Sequence, residues 1–135
     1  MKNRREKLSL SGDELVDTLF FLVAALMVGK RNISSIHKVK SLLDPDVKNS
    51  RQYLCGFAEQ TSRGNYTIYI SADKRKNPSE EELAVSLLHE LLHVLMPPAE
   101  EYFILNLEIL WDKFSSDQKE HIKSYIPKRF SKKRP

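Results

Sequence analysis

The stretch 86–98, SLLHELLHVLMPP, limits the fold more than any other part of this chain. It is preceded by Ser79-Glu80-Glu81-Glu82, a capping box with Ser79 as N-cap and Glu82 at N3. It is closed by Pro97-Pro98, which cannot continue a helix. A helix from about residue 80 to Met96 follows. At about 100° per residue, Leu83, Ala84, Leu87, Leu88, Leu91, Val94 and Leu95 share a broad apolar arc. Glu82, Ser86, His89 and His93 fall on the narrow strip that remains. This helix must bury one side and offer the other to a cleft.

Residues four apart on a helix lie nearly above one another, so His89 and His93 present two imidazoles to one point. Glu90 sits at the border of the strip. The pattern is H-E-x-x-H, whose logic is two zinc ligands plus a carboxylate that takes a proton from metal-bound water. Zinc lowers the pKa of that water to about 7, within reach of a glutamate base. A catalytic zinc needs a third protein ligand, and no H-x-x-G-x-x-H continuation follows His93. The next helix must supply it. By helical angle Glu100 shares its face with Phe103, Ile104, Leu107 and Trp111, where a carboxylate is costly without a cation beside it. Glu100 is therefore the expected third ligand and Glu101, in the more solvated company of Glu108 and Asp112, the reserve.

Around that helix the pattern reads as α+β. The 135 residues suit one compact domain, and 41% hydrophobic with 30% charged is a globular mixture. The apolar run 19–28 is too short for a bilayer, which takes about 20 residues, and Asp13, Glu14 and Asp17 separate it from the basic residues of a signal-peptide pattern. It reads as a buried helix over 13–29, capped by Ser11 or Asp13 and ended at Gly29, whose apolar surface could also pair with a second copy or a partner. Weak helical spacing over 34–43 predicts a second helix before Asp44-Pro45, with His37 on a solvated side. Aromatic and β-branched residues over 53–58 and 66–71, with 61–65 as the loop, predict an antiparallel hairpin. Tyr66, Ile68 and Ile70 would face the core and Thr67, Tyr69 and Ser71 a partly wet side. Helices over about 99–114 and 116–125 complete the chain. One domain over 1–127 is expected, helical through residue 52, with a basic tail over 128–135.

The strand, polar loop, acidic capping box, SLLHELLHVLMP and the following P-x-E-E together resemble the small single-domain gluzincins, minimal zinc metallopeptidase-like proteins of phage and prokaryotic genomes. The resemblance covers about residues 66–111. It implies a minimal zincin-like domain in which a small antiparallel sheet packs on the active-site helix and a glutamate helix follows. It implies zinc on His89, His93 and Glu100, with Glu90 as general base of a peptide-bond hydrolase. In zincins an edge strand beside the active-site helix binds extended peptide, a role that would fall to Tyr66, Ile68 and Ile70. Tyr102, His121 and Tyr125 are the available transition-state stabilisers.

A non-catalytic, zinc-stabilised interaction module is the alternative. The net charge of +4 collects at the two ends, which gives nucleic acid a foothold there but no groove-reading motif. Cys55 is the single cysteine, so no disulfide forms within the chain, and a half-buried thiol in a cytoplasmic protein is expected.

Overall fold

The computed structural model describes residues 8–29 and 32–135. Helix α1 (Glu14–Gly29) leads into strand β1 (Ile33–Val39), and an irregular loop leads on to strands β2 (Gly56–Ser62) and β3 (Asn65–Ser71). Helix α2 (Glu80–Leu95) carries the HExxH pattern. Helix α3 (Glu101–Glu108) tightens into a 3-10 turn (Ile109–Lys113), and α4 (Ser116–Lys123) ends the helical part. The class is α+β, with four α-helices and a small three-stranded mixed sheet among the described residues.

Local chemistry sets the helix ends. The Asp13 carboxylate accepts from the Val16 amide at 3.1 Å and caps α1. Asp17 ties this corner to α4 by accepting from Gln118 Nε2 at 2.7 Å, and Gln118 is fully buried. Ser79 Oγ accepts from the Glu82 amide as expected, with Met96 as C-cap ahead of the double proline. The cap of α4 is Ser115, which forms a capping box with Gln118.

The sheet differs from the sequence expectation in two ways. The stretch 34–43, expected as a helix, supplies β1, which pairs in parallel with β3 and matches Ile36 to Ile68 and Val39 to Ser71. Its β-branched Ile33, Ile36 and Val39 suit a pleated surface, and pairing with β3 outweighs a weak helical spacing. A bulge between Ile33 and Ser35 breaks the strict alternation that would have announced a strand. His37 consequently stacks on Tyr69 with ring centroids 5.4 Å apart, rather than facing solvent on a helix. The hairpin exists but starts and turns later than 53–58 and 61–65 suggested: β2 runs to Ser62, and Arg63-Gly64 alone make the turn, with Gly64 at φ +75°.

The strand order is β1-β3-β2, so the sheet is mixed rather than antiparallel and β3 lies at its centre. One face packs Ile68 and Ile70 against Leu87, Leu88, Leu91 and Leu92 of α2, all fully buried. Each such leucine contributes about 2 kcal/mol by leaving water. The other face, expected to be partly wet, is closed by Val39 at the end of β1 and Leu42 of the loop after it, which cover Tyr69, 1% exposed. Val16, Leu19, Phe20, Val23 and Leu26 of α1 join the main core. Leu15, Phe21, Leu22 and Val28 of the same helix remain exposed. No helix among the described residues is long and apolar enough to cross a membrane.

Two further expectations change. Residues 128–135 are not simply a loose tail, because Phe130 bridges in parallel to Lys38 and the Ser131 amide donates to the Lys38 carbonyl at 2.8 Å. Cys55 is exposed rather than half-buried. The basic stretch 2–7 lies outside the described residues.

Candidate metal centre

The polar strip of α2 faces a cleft of about 730 Å³, floored by the start of β2 and walled on the far side by α3. Glu82, Ser86, His89 and His93 line it, as the helical angles require, together with Glu90. Glu101, Leu105 and Glu108 enter from α3, spaced so that they share one face of that helix. The two helices thus present histidines and glutamates to each other across one gap.

Within that gap His89 Nε2 and His93 Nε2 stand 3.1 Å apart. The Glu101 carboxylate reaches both, at 3.0 Å from His89 Nε2 and 2.8 Å from His93 Nε2. The Nδ1 atom of His89 is held by a hydrogen bond to Glu108. An imidazole that donates from Nδ1 to a carboxylate is fixed in the tautomer whose Nε2 carries a lone pair. That lone pair points into the space shared with His93 and Glu101. Tetrahedral coordination with bonds of about 2.0–2.1 Å sets ligand atoms about 3.3 Å apart. The observed spacings are close to this, so two nitrogens and a carboxylate oxygen fit a divalent ion of the zinc type. His89, His93 and Glu101 form a group that could hold a metal ion.

The carboxylate brought up to the two histidines is that of Glu101, the reserve, and Glu100 stands outside the group. After Pro97-Pro98 the helix begins two residues later than expected, and Glu100 becomes its N-cap with extended backbone at φ −73° and ψ 156°. Its carbonyl accepts from the Phe103 and Ile104 amides, while its side chain is exposed and makes no capping bond. A residue outside the helix does not obey the helix's angles, so its supposed apolar companions never surround it. The pairing of Glu101 with Glu108 on one face was visible in the sequence. That His89 and His93 stand opposite this face was not, because it depends on how α2 and α3 pack.

Glu90 is 7% exposed and lines the same cleft. Burial pushes its carboxyl up to about 7, aided by Glu101 and Glu108 and opposed by a charged His89. His89 is raised as well: burial of its ring works against the cation, but the hydrogen bond to Glu108 and the charges of Glu90, Glu101 and Glu108 outweigh it. Gly56, the first residue of β2, lies directly against Glu90, where an added Cβ would come within 3.0 Å of Glu90 Cγ. The absent side chain lets the edge of the sheet close over that carboxylate.

The remaining expectations divide. Ile68 and Ile70 belong to the central strand, hydrogen-bonded on both sides and fully buried, so they offer no backbone edge; Tyr66 of the same strand does line the cleft. The edge beside the cleft is β2, through Gly56, Phe57 and Ala58. Length and alternation could not reveal which strand lies outermost, since that depends on β1. None of Tyr102, His121 and Tyr125 is among the residues lining the cleft. Tyr102 is 65% exposed, and His121 packs edge-on between Phe20 and Tyr125. Sequence reasoning also missed Asn77, which is buried and donates to the Cys55 and Ser71 carbonyls while accepting from Ser86 Oγ at 2.6 Å. It fastens the start of β2 and the end of β3 to the cleft side of α2. Comparison with protein-family models, with curated proteins and with solved structures gives no match to this chain.

Proposed function

We propose that this chain is a zinc-dependent metallopeptidase in which His89, His93 and Glu101 hold the ion and Glu90 is the general base. The observation that carries the reading is the convergence of His89 Nε2, His93 Nε2 and Glu101 from two helices, with Glu108 behind His89. Bound there, zinc would supply a Lewis acid that polarises a peptide carbonyl and acidifies water. Glu90 takes the proton from the attacking water and passes it to the leaving amine, a task suited to a carboxyl raised toward neutrality. Its burial against Gly56 and β2 keeps bulk water from competing for that proton. Glu108 keeps the His89 ring in register. The free edge of β2 beside the cleft suits an extended protein or peptide substrate, bound through backbone hydrogen bonds. The proposed setting is the cytoplasm, where an exposed lone thiol such as Cys55 stays reduced.

The exposed apolar side of α1 favours the second reading, a zinc-stabilised interaction module that docks a partner or a second copy there. The test is hydrolysis of an unstructured protein such as casein by zinc-loaded wild type and Glu90→Gln. The peptidase reading expects the rate to fall at least about 100-fold with zinc content unchanged. Equal rates, or none in either protein, would leave only the module.

A further inference from the structure

We propose that the basic groove between the C-terminal segment and the start of α2 binds the phosphodiester backbone of a single-stranded nucleic acid. Its basic side is built by the C-terminal segment folding onto β1. Phe130 bridges to Lys38, the Ser131 amide donates to the Lys38 carbonyl, and Lys38 Nζ donates to the Lys128 carbonyl at 3.2 Å. The same ammonium lies 5.1 Å from the centre of the Phe130 ring. Farther along, Lys133 stands close enough to His37 to add to burial in disfavouring that ring's protonation. A stretch that reads in sequence as a basic tail is therefore held against the sheet.

Between this segment and the start of α2 runs a groove of about 700 Å³, whose lining includes Lys38, Lys74, Lys128 and Phe130. Glu80 is its one acidic lining residue, and Lys123, also in the lining, is already paired with Glu81 and Glu120. Among the described residues Lys38, Lys74, Lys128, Arg129 and Lys133 make no ion pair with a carboxylate. Residues 121–135 contain no Asp or Glu. Of these, Lys38, Lys74 and Lys128 line the one groove; unneutralised cations so gathered repel one another, and a polyanion is what relieves that repulsion. In the metal cleft Asp46, Glu82, Glu90, Glu101 and Glu108 outnumber Lys76, so that cleft attracts a polyanion less than this groove does.

The shape selects among polyanions. A flat bilayer surface cannot follow a concavity, and a flexible single strand bends into one more readily than a stiff duplex. A single strand fits, and Phe130, 53% exposed beside the lysines, offers a base something to stack on. Contact with about four phosphates predicts log Kd rising with log salt at a slope of about 2.8, a loss of about 50-fold between 50 and 200 mM.

The experiment is fluorescence anisotropy of the full chain with a labelled single strand of about 15 nucleotides, its duplex, and vesicles rich in phosphatidylserine. Binding of the single strand in preference to the duplex is expected. The triple variant Lys128→Glu, Arg129→Glu, Lys133→Glu should weaken it at least about 10-fold, and Lys74→Glu alone should lower the salt slope by roughly 0.7. Arg63→Glu, at the far hairpin turn, should change nothing, and circular dichroism should show every variant folded. The proposal is overturned if the triple variant and Lys74→Glu bind as wild type, if the duplex binds as tightly, or if vesicles are bound and the oligonucleotides are not.

Discussion

Replacing Gly56 by alanine tests how the sheet closes over the general base. The new Cβ would stand 3.0 Å from Glu90 Cγ, 3.1 Å from Glu90 Oε2 and 3.2 Å from the Tyr69 carbonyl oxygen. Ordinary contact begins near 3.4 Å, so each neighbour must give by a few tenths of an ångström. The Tyr69 carbonyl belongs to the central strand and cannot retreat without straining its pairing. Glu90 is buried and has little room to swing. Overpacking of this kind costs about 1–3 kcal/mol. The smaller conformational freedom of an unfolded alanine returns about 0.4–1 kcal/mol. The net loss is about 1–2 kcal/mol, or a Tm lower by about 4–8 °C in a domain of this size. Peptide hydrolysis should fall at least about 10-fold while bound zinc is retained, because Glu90 is displaced and the ligands are not. Gly29→Ala provides the contrast: nothing lies within 4 Å of its Cβ position at the end of α1, and Tm should hold or rise. Differential scanning calorimetry and a casein assay read both effects. A Gly56→Ala protein with wild-type Tm and wild-type rate would refute the close packing of β2 on Glu90.

Glu90→Gln should also reveal the buried charge in metal-free protein. Folded-state Glu90 titrates at about 7 against an ordinary 4.5, so its favourable protonated form is complete below 4.5 and lost as pH rises through 7. Above that, the buried carboxylate costs about 3 kcal/mol, and the chelated Glu90→Gln protein should melt above chelated wild type at pH 8 and level with it near pH 4. Glu108→Gln should weaken zinc binding by roughly 10–100-fold in a competition titration, because His89 loses the carboxylate that orients it; unchanged affinity would remove Glu108 from the site. Asn77→Ala should lower stability by about 3 kcal/mol in urea unfolding, since it strands the Cys55 and Ser71 carbonyls and the Ser86 hydroxyl.

The parts of this architecture fixed by local chemistry were legible in the sequence. The Ser79 cap, the proline stop, the apolar arc of α2 and the alignment of Ser86, His89 and His93 on one strip all follow from helix geometry. What was misread depends on partners distant in sequence. Strand β1 is a strand because β3 is there to pair with it, and the bulge after Ile33 hid its alternation. That pairing moved β3 to the centre and passed the free edge to β2. The choice between Glu100 and Glu101 turned on a two-residue difference in where α3 begins, set by backbone angles at a cap. The docked C-terminal segment could not be foreseen, because Phe130 meets β1 across most of the chain.

The central claim is most directly tested by metal analysis of freshly purified protein under native mass spectrometry, with Glu100→Ala and Glu101→Ala beside wild type. The account predicts about one zinc per chain in wild type and in Glu100→Ala, and a large loss in Glu101→Ala. Wild type that neither contains zinc nor takes it up, or zinc that leaves with Glu100 and stays without Glu101, would contradict it.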